Sequence, residues 1–364
     1  QEVFDRLFPL LEPGDKLGIL TRYLLGAAAA NLGKPDVART AWRNLAREGL
    51  AQVRPYSEML GRGERPPTLD GRFPYVSAIE LAPRKVLDTM FREGQTDPDA
   101  VDLASYTARF PRLAEALCEP LASPIMNVRL TVELLLRLPS PAVAAVTRFA
   151  GSRLASDHER LYAHLTLRGA GHADRAEPAS IWIEGRRREW VLPGFRLRAA
   201  PPIEQSEDVR ALFNEALAAQ QANDIARALE IYTRLVAIDP ESKEAEHNLG
   251  TALMLSQRME EGEEHLRRAL KIDEDYVLAR TNLAGLEMAR GNLGAARQLL
   301  APLEQRVDYS VEDLLAYLRV RGDLAEADRD PAQAEMWFHC VLAYDPDNRS
   351  TQEHLAALSR IPAE

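Results

Sequence analysis

Three asparagines, Asn214, Asn248 and Asn282, stand 34 residues apart. A carboxamide offers both a donor and an acceptor, so a row of them can pair with a peptide backbone whatever side chains the peptide carries. A second group is His158, His164 and His172, with Asp157, Glu159 and Asp174 nearby. Zinc needs ligands that converge, which on a helix means spacings of three or four; His158 and His164 are six apart and fall on different faces. Surface histidines and no metal site are therefore expected. A third group is Arg186–Arg188 between Trp182 and Trp190, a pattern able to hold a phosphate backbone with aromatic stacking. The preferred reading is a solvated hairpin tip whose charges keep a strand edge soluble. No phosphate-binding loop, G-x-S-x-G elbow, H-E-x-x-H or paired-cysteine motif occurs. The chain names no nucleophile and no cofactor, and it is expected not to be an enzyme.

Composition narrows the partners. From Glu207 onward the net charge is −13, whereas the part before it carries +3. The acidic half would repel phosphate, which disfavours nucleic acid as its ligand. Forty of the 45 basic residues are Arg, a bias that follows from a GC-rich genome and is no sign of nucleic-acid binding. Cys118 and Cys340 are far apart on apolar helical backgrounds and read as buried free thiols. No apolar run approaches the length needed to span a membrane, so the expected compartment is the cytoplasm. The chain opens on Gln1 rather than Met, which leaves a removed signal peptide open.

The elements that must position these groups are helical almost throughout. Residues 1–52 show Val3, Phe4, Leu7, Leu10 and Leu11 at helical spacing, then Pro13-Gly14 as a stop. A hairpin follows with Gly26 and Ala38 at small positions, Gly33 at the turn and Trp42 at a large one. Residues 53–76 hold Pro55, Gly61, Gly63, Pro66, Pro67, Gly71 and Pro74 and read as a connecting loop. Residues 77–169 return to helices. Residues 170–205 contain Ile181–Glu184 and Glu189–Leu192 around a Gly-containing polar turn, which predicts a β-hairpin and then a linker through Pro201-Pro202.

From residue 206 one pattern repeats. Ala216, Gly250 and Ala284 keep the 34-residue beat, as do Ala228, Gly262 and Ala296, and Tyr232, Leu266 and Leu300. A fourth copy arrives four residues late, with Gly322, Ala334 and Phe338. Pro302 should bend or shorten the third second-helix, and Ser350 to Arg360 should cap the array. This period, with small residues at two fixed points, resembles the tetratricopeptide repeat over residues 207–360. Residues 1–52 look like a worn copy of it. Around 103–169 the chain resembles HEAT repeats more weakly, through Val128-Arg129 before Val132, Leu135 and Leu138, and the helix opened by Ser156-Asp157.

The resemblance implies an all-α fold: an α-solenoid of helix–turn–helix units, with a helical N-terminal region and a small β-hairpin insertion. Its function would be a protein-interaction scaffold whose first helices form a concave groove for a peptide or partner helix. On that resemblance Asn214, Asn248 and Asn282 face the groove, and Phe213, Leu217, Thr251, Met254, Thr281 and Met288 line it. Val320 ends the ladder in the fourth copy. Arg210 and Arg319 are the basic residues at places where relatives grip a terminal carboxylate, and they are three repeats apart. A basic or neutral partner is expected rather than an acidic one. The rival reading is an enzyme or nucleic-acid factor in residues 53–205 that uses the repeats as a docking arm.

Overall fold

Two helices pack closely only where one of them gives up its side chain, and the chain places a small residue sixteen positions before a large one again and again. The resulting structure, a computed structural model, describes residues 1–10, 18–48, 50, 53–74, 81–95, 97–122, 127–199 and 206–360. The fold class is all-α, and contacts divide the chain into two units, Gln1–Arg196 and Leu197–Glu364. Among the described residues no helix is long and apolar enough to cross a membrane. Pro13-Gly14, Leu11, residues 75–76 and Pro201-Pro202 lie outside the described residues.

The N-terminal unit begins with α1 (Glu2–Leu7), α2 (Ile19–Asn31) and α3 (Pro35–Trp42). At Gly26 of α2 an added Cβ would lie 2.1 Å from Trp42 Nε1, so the indole lies on bare backbone and donates to the Tyr23 carbonyl at 3.1 Å. Gly33 closes the turn with φ +71°, and the Lys34 N–H returns to the Ala29 carbonyl at 2.9 Å. That six-residue closure is the Schellman cap, which needs the left-handed residue glycine adopts without strain.

The segment expected as a loop over 53–76 is helical in its first part, α4 (Val53–Arg62). Pro55 is the third residue of that helix, where its missing N–H has no intrahelical partner to lose, so it does not oppose the helix. Beyond it the chain runs without regular structure to Phe73, whose backbone N–H donates to Asn31 Oδ1 at 2.7 Å.

There follow α5 (Arg84–Glu93), α6 (Leu103–Arg109), α7 (Leu113–Ala122), α8 (Val128–Leu136), α9 (Ser140–Ala150) and α10 (Asp157–Gly169). In the stretch read as HEAT-like, the Arg129 guanidinium lies over the Tyr162 ring at 5.6 Å. The arginine that bonds the preceding turn is Arg160, buried, donating to the Leu154 and Ala155 carbonyls at 2.6 and 2.8 Å.

The hairpin is β1 (Pro178–Ile183) against β2 (Arg186–Val191), antiparallel, with Ile183 opposite Arg186. Its turn is the pair Glu184-Gly185, both with positive φ, the type I′ geometry that two-residue hairpins prefer. Arg186–Arg188 are therefore not at the tip as expected; they lie in β2 opposite Ile183, Trp182 and Ile181. The sequence places glycine one residue before the arginines, and glycine fixes the turn.

The C-terminal unit is a stack of helix pairs: α11 (Glu207–Gln221) with α12 (Ile225–Ile238), α13 (Lys243–Leu255) with α14 (Met259–Ile272), α15 (Val277–Ala289) with α16 (Leu293–Leu300), and α17 (Val311–Ala327) with α18 (Pro331–Tyr344). The capping helix α19 (Arg349–Leu358) covers the end, with Leu355 and Leu358 half-buried. Asn223, Gln257, Gly291 and Arg329 hold positive φ at the four turns. Each turn repeats the six-residue closure, Asp224 to Ala219, Arg258 to Leu253, Asn292 to Glu287 and Asp330 to Ala325. Pro302 ends the third pair early: α16 stops at Leu300 and continues only as a 3₁₀ turn over Ala301–Leu303. The late residues are absorbed there, where buried Tyr309 donates to the Leu303 carbonyl at 2.9 Å.

Glycines in this stack separate into two kinds. A Cβ on Gly262 would meet Met254 Cγ at 2.6 Å and the Gly250 carbonyl oxygen at 2.8 Å, whereas one on Gly285 meets nothing. Gly262→Leu is expected to destabilise the unit by about 1–3 kcal/mol through overpacking. Gly285→Ala should instead stabilise it, by up to about 1 kcal/mol through helix propensity. Urea unfolding of both variants checks the repeat register; equal midpoints would refute it.

Candidate binding groove

The first helices α13, α15 and α17 present consecutive faces to one open groove of about 420 Å³. Its walls are largely apolar: Met254 and Leu255 from α13, Met259 from α14, Leu286 and Ala289 from α15, Ala316 and Val320 from α17. Gly285 leaves the middle of the floor without a side chain. Leu255 is 55% exposed and Met259 38%, so apolar surface is offered to solvent along one rim. Arg319 and Asp323 supply opposite charges at the far wall.

Four of the residues expected in a groove meet here, namely Thr251, Met254, Thr281 and Asn282. Arg319, anticipated as a basic position, joins them and is exposed. The others are not part of this cavity. Asn214, Arg210 and Leu217 are exposed on α11, and Phe213 is half-buried against the core between α11, α12 and α13. Asn248 and Met288 are half-buried on α13 and α15.

The asparagines are tied together by a residue the sequence did not single out. His247 is buried between them, with Nδ1 3.2 Å from Asn248 Oδ1 and Nε2 3.0 Å from Asn282 Nδ2. The Asn282 amide can only donate to that ring nitrogen. The network therefore assigns the neutral tautomer with its proton on Nδ1, donating to Asn248. Asn282 Nδ2 also donates to Thr251 Oγ1 at 3.2 Å, and the Thr251 hydroxyl donates to the His247 carbonyl at 3.0 Å. The donor half of Asn282 is thus committed within the fold. Among the described residues nothing takes its Oδ1, so that oxygen is what a ligand would find. Burial pushes the His247 pKa down to about 4, with the Asn248 contact opposing.

The histidines that suggested metal chemistry do not come together as ligands among the described residues. They are not all surface groups either. Only His172 is exposed; His158 is half-buried, and His164 is pushed down to about 4 by burial, with Arg168 reinforcing. The reason is α10, which packs against neighbours on more than one face, so a six-residue spacing reaches interior positions. Cys118 and Cys340 are buried free thiols; burial raises both, Cys118 to about 12, which removes the thiolate a nucleophile needs.

Comparison with known proteins accords with the geometry. Residues 244–276, covering α13 and α14, match the family model of the tetratricopeptide repeat. Cellulose synthase operon protein C of Xanthomonas axonopodis pv. citri (strain 306) is 29% identical over 155 residues, 40% of this chain and 10% of its own length. The chain thus spans about a tenth of that relative. Pseudomonas aeruginosa pilF aligns over 42% of this chain and 68% of its own at 22% identity, with a TM-score of 0.37. A tetratricopeptide repeat protein from Parabacteroides merdae ATCC 43184 aligns over 76% and 100% at 15% identity, with a TM-score of 0.29. Scores this low carry no weight for function.

The buried rings fix a pH dependence. Unfolded, a histidine titrates near its ordinary value of about 6.5; folded, His247 and His164 resist protonation until about 4. Between those values the unfolded chain takes up protons that the folded chain refuses. Stability is therefore full above the unfolded value and falls as pH drops towards the folded one, by on the order of 1–3 kcal/mol per ring. Urea midpoints measured from neutral pH downward should show this loss, and His247→Gln should flatten the part belonging to the C-terminal unit. An identical pH slope in that variant would refute the assignment.

Proposed function

We propose that the chain is a non-enzymatic scaffold that holds a peptide or a partner helix in the groove between α13, α15 and α17. The observation that carries this reading is the apolar, open floor at Gly285, flanked by Met254, Leu286 and Val320. Apolar side chains of a ligand gain by leaving water there, at roughly 25 cal/mol per Å² buried. Asn282 Oδ1 adds one acceptor for a ligand N–H, so recognition rests on anchoring side chains more than on a backbone ladder. The neighbouring Asn248 and the more distant Asn214, Arg210, Phe213, Leu217 and Met288 extend the path a longer ligand would follow. The excess of acid in this half of the chain supports a basic or neutral partner, whose association weakens as salt rises.

The rival, an enzyme or nucleic-acid factor within residues 53–205, finds one feature in its favour. A polar cavity of about 520 Å³ is bounded by Asn31, Glu64, Arg65, Asp70 and Arg72. Its lining contains no Ser, Cys, His or Lys, which leaves the carboxylates of Glu64 and Asp70 as the groups for acid–base or nucleophilic work.

Filling the floor tests the first reading directly. A Cβ at Gly285 meets nothing within 4 Å, so Gly285→Phe directs an aromatic ring into the groove. Affinity capture with mass spectrometry should lose the partner at least about tenfold relative to wild type, which is about 1.4 kcal/mol, with the melting temperature unchanged or raised. Equal capture by a folded variant would show that the groove is not the binding site.

A further inference from the structure

We propose that Asp323, Glu326 and His354 form a site for one divalent cation, zinc being the ion whose chemistry fits, which ties the capping helix α19 to the last first-helix α17. Asp323 and Glu326 are three residues apart on α17 and so share a face; His354 comes from α19. One oxygen of each carboxylate and a ring nitrogen of His354 all lie within 4.8 Å of one another. Donors around one tetrahedral zinc ion, bonded at about 2.0–2.2 Å, sit about 3.3–3.6 Å apart. Closing the trio onto an ion thus takes side-chain movements of up to about an ångström.

The trio is more than a pair of acids on a surface. All three residues are half-buried, and the imidazole is delivered by a separate helix. Its ring rests 4.9 Å from the buried Phe338 ring, the large residue seated over Gly322. That rigid backing aims Nδ1 at the carboxylates, 3.0 Å from Glu326 Oε2. Asp323 has no ion-pair partner among the described residues; Arg319, one turn earlier, acts on it only through space. A dication would take the position now spanned by the hydrogen bond from Nδ1. The ring gives up its Nδ1 proton, either to solvent or by carrying it on Nε2, and its lone pair turns to the metal. One imidazole and two carboxylates leave a fourth position for water. The nitrogen donor favours zinc over magnesium or calcium, which prefer oxygen alone.

The site shares Asp323 with the groove wall, and its test reads metal binding rather than partner capture. The full chain, stripped with EDTA and dialysed, is titrated calorimetrically with zinc chloride, and with manganese chloride for comparison. One ion per chain is expected, with zinc tighter than manganese and a melting temperature raised by zinc. Asp323→Asn keeps the shape and removes the charge; His354→Gln removes the nitrogen donor. Each should weaken zinc binding at least tenfold and abolish the thermal shift, with circular dichroism confirming the helix content of both. If His354→Gln fails to fold, the near-isosteric Asp323→Asn decides alone. No zinc binding by wild type, or equal binding and equal thermal shift in the variants, overturns the proposal.

Discussion

The C-terminal unit depends on one pairing whose sixteen-residue spacing recurs four times: a residue with little or no side chain on a first helix, and a large residue on the second, in contact at Gly250 with Leu266 and at Gly322 with Phe338. Ala216 meets Tyr232 in the first pair and Gly322 meets Phe338 in the last, where an added Cβ would lie 2.4 Å from the ring. Between Gly250 and Gly262 even the backbones touch, since a Cβ on either would come within 2.8 Å of the other's carbonyl oxygen. Such proximity brings many weak dispersion contacts to their optimum at once. It also fixes which face of each first helix is left uncovered. The same contact appears at Gly26 and Trp42 in the N-terminal unit, with the same turn closure.

The groove follows from that register. With each first helix held by its partner through the small-residue face, the opposite faces of α13, α15 and α17 line up. Residues spaced by the repeat then converge, as Thr251 does with Gly285 and Asn282 with Val320. The short α16 does not break this alignment, because Pro302 and Tyr309 take up the late residues on the far side of the pair. The open floor is a consequence of Gly285 being a glycine that packing does not require.

Polar groups inside the stack are economical. His247 links Asn248, Asn282 and Thr251 into one chain of donors and acceptors, which fixes the imidazole as neutral. Protonating it would set a second N–H against the Asn282 amide in a site already poor in water, so burial and hydrogen bonding oppose the charge together. In the N-terminal unit Arg160 plays the comparable linking part, holding the carbonyls of Leu154 and Ala155 and reaching the Trp182 carbonyl in β1 at 3.0 Å.

The repeat period, the small and large positions, the effect of Pro302 and the existence of a hairpin were legible in the sequence, because each is a local rule: helical spacing, backbone sterics or turn chemistry. The 53–76 segment was misread in its first half because a proline in a first turn looks the same in sequence as one that breaks a helix. The arginines of β2 were misplaced because a two-residue turn shifts every later residue by register. What only the tertiary structure decided is who meets whom across helices. Asn282 looked like a free rung until His247, 35 residues away in the chain, took its donor. Asp323 and Glu326 share a helix face that could be read from spacing. His354 reaches them only because the capping helix packs back on α17, and such a long-range approach is set by the sum of the packing rather than by any local signal.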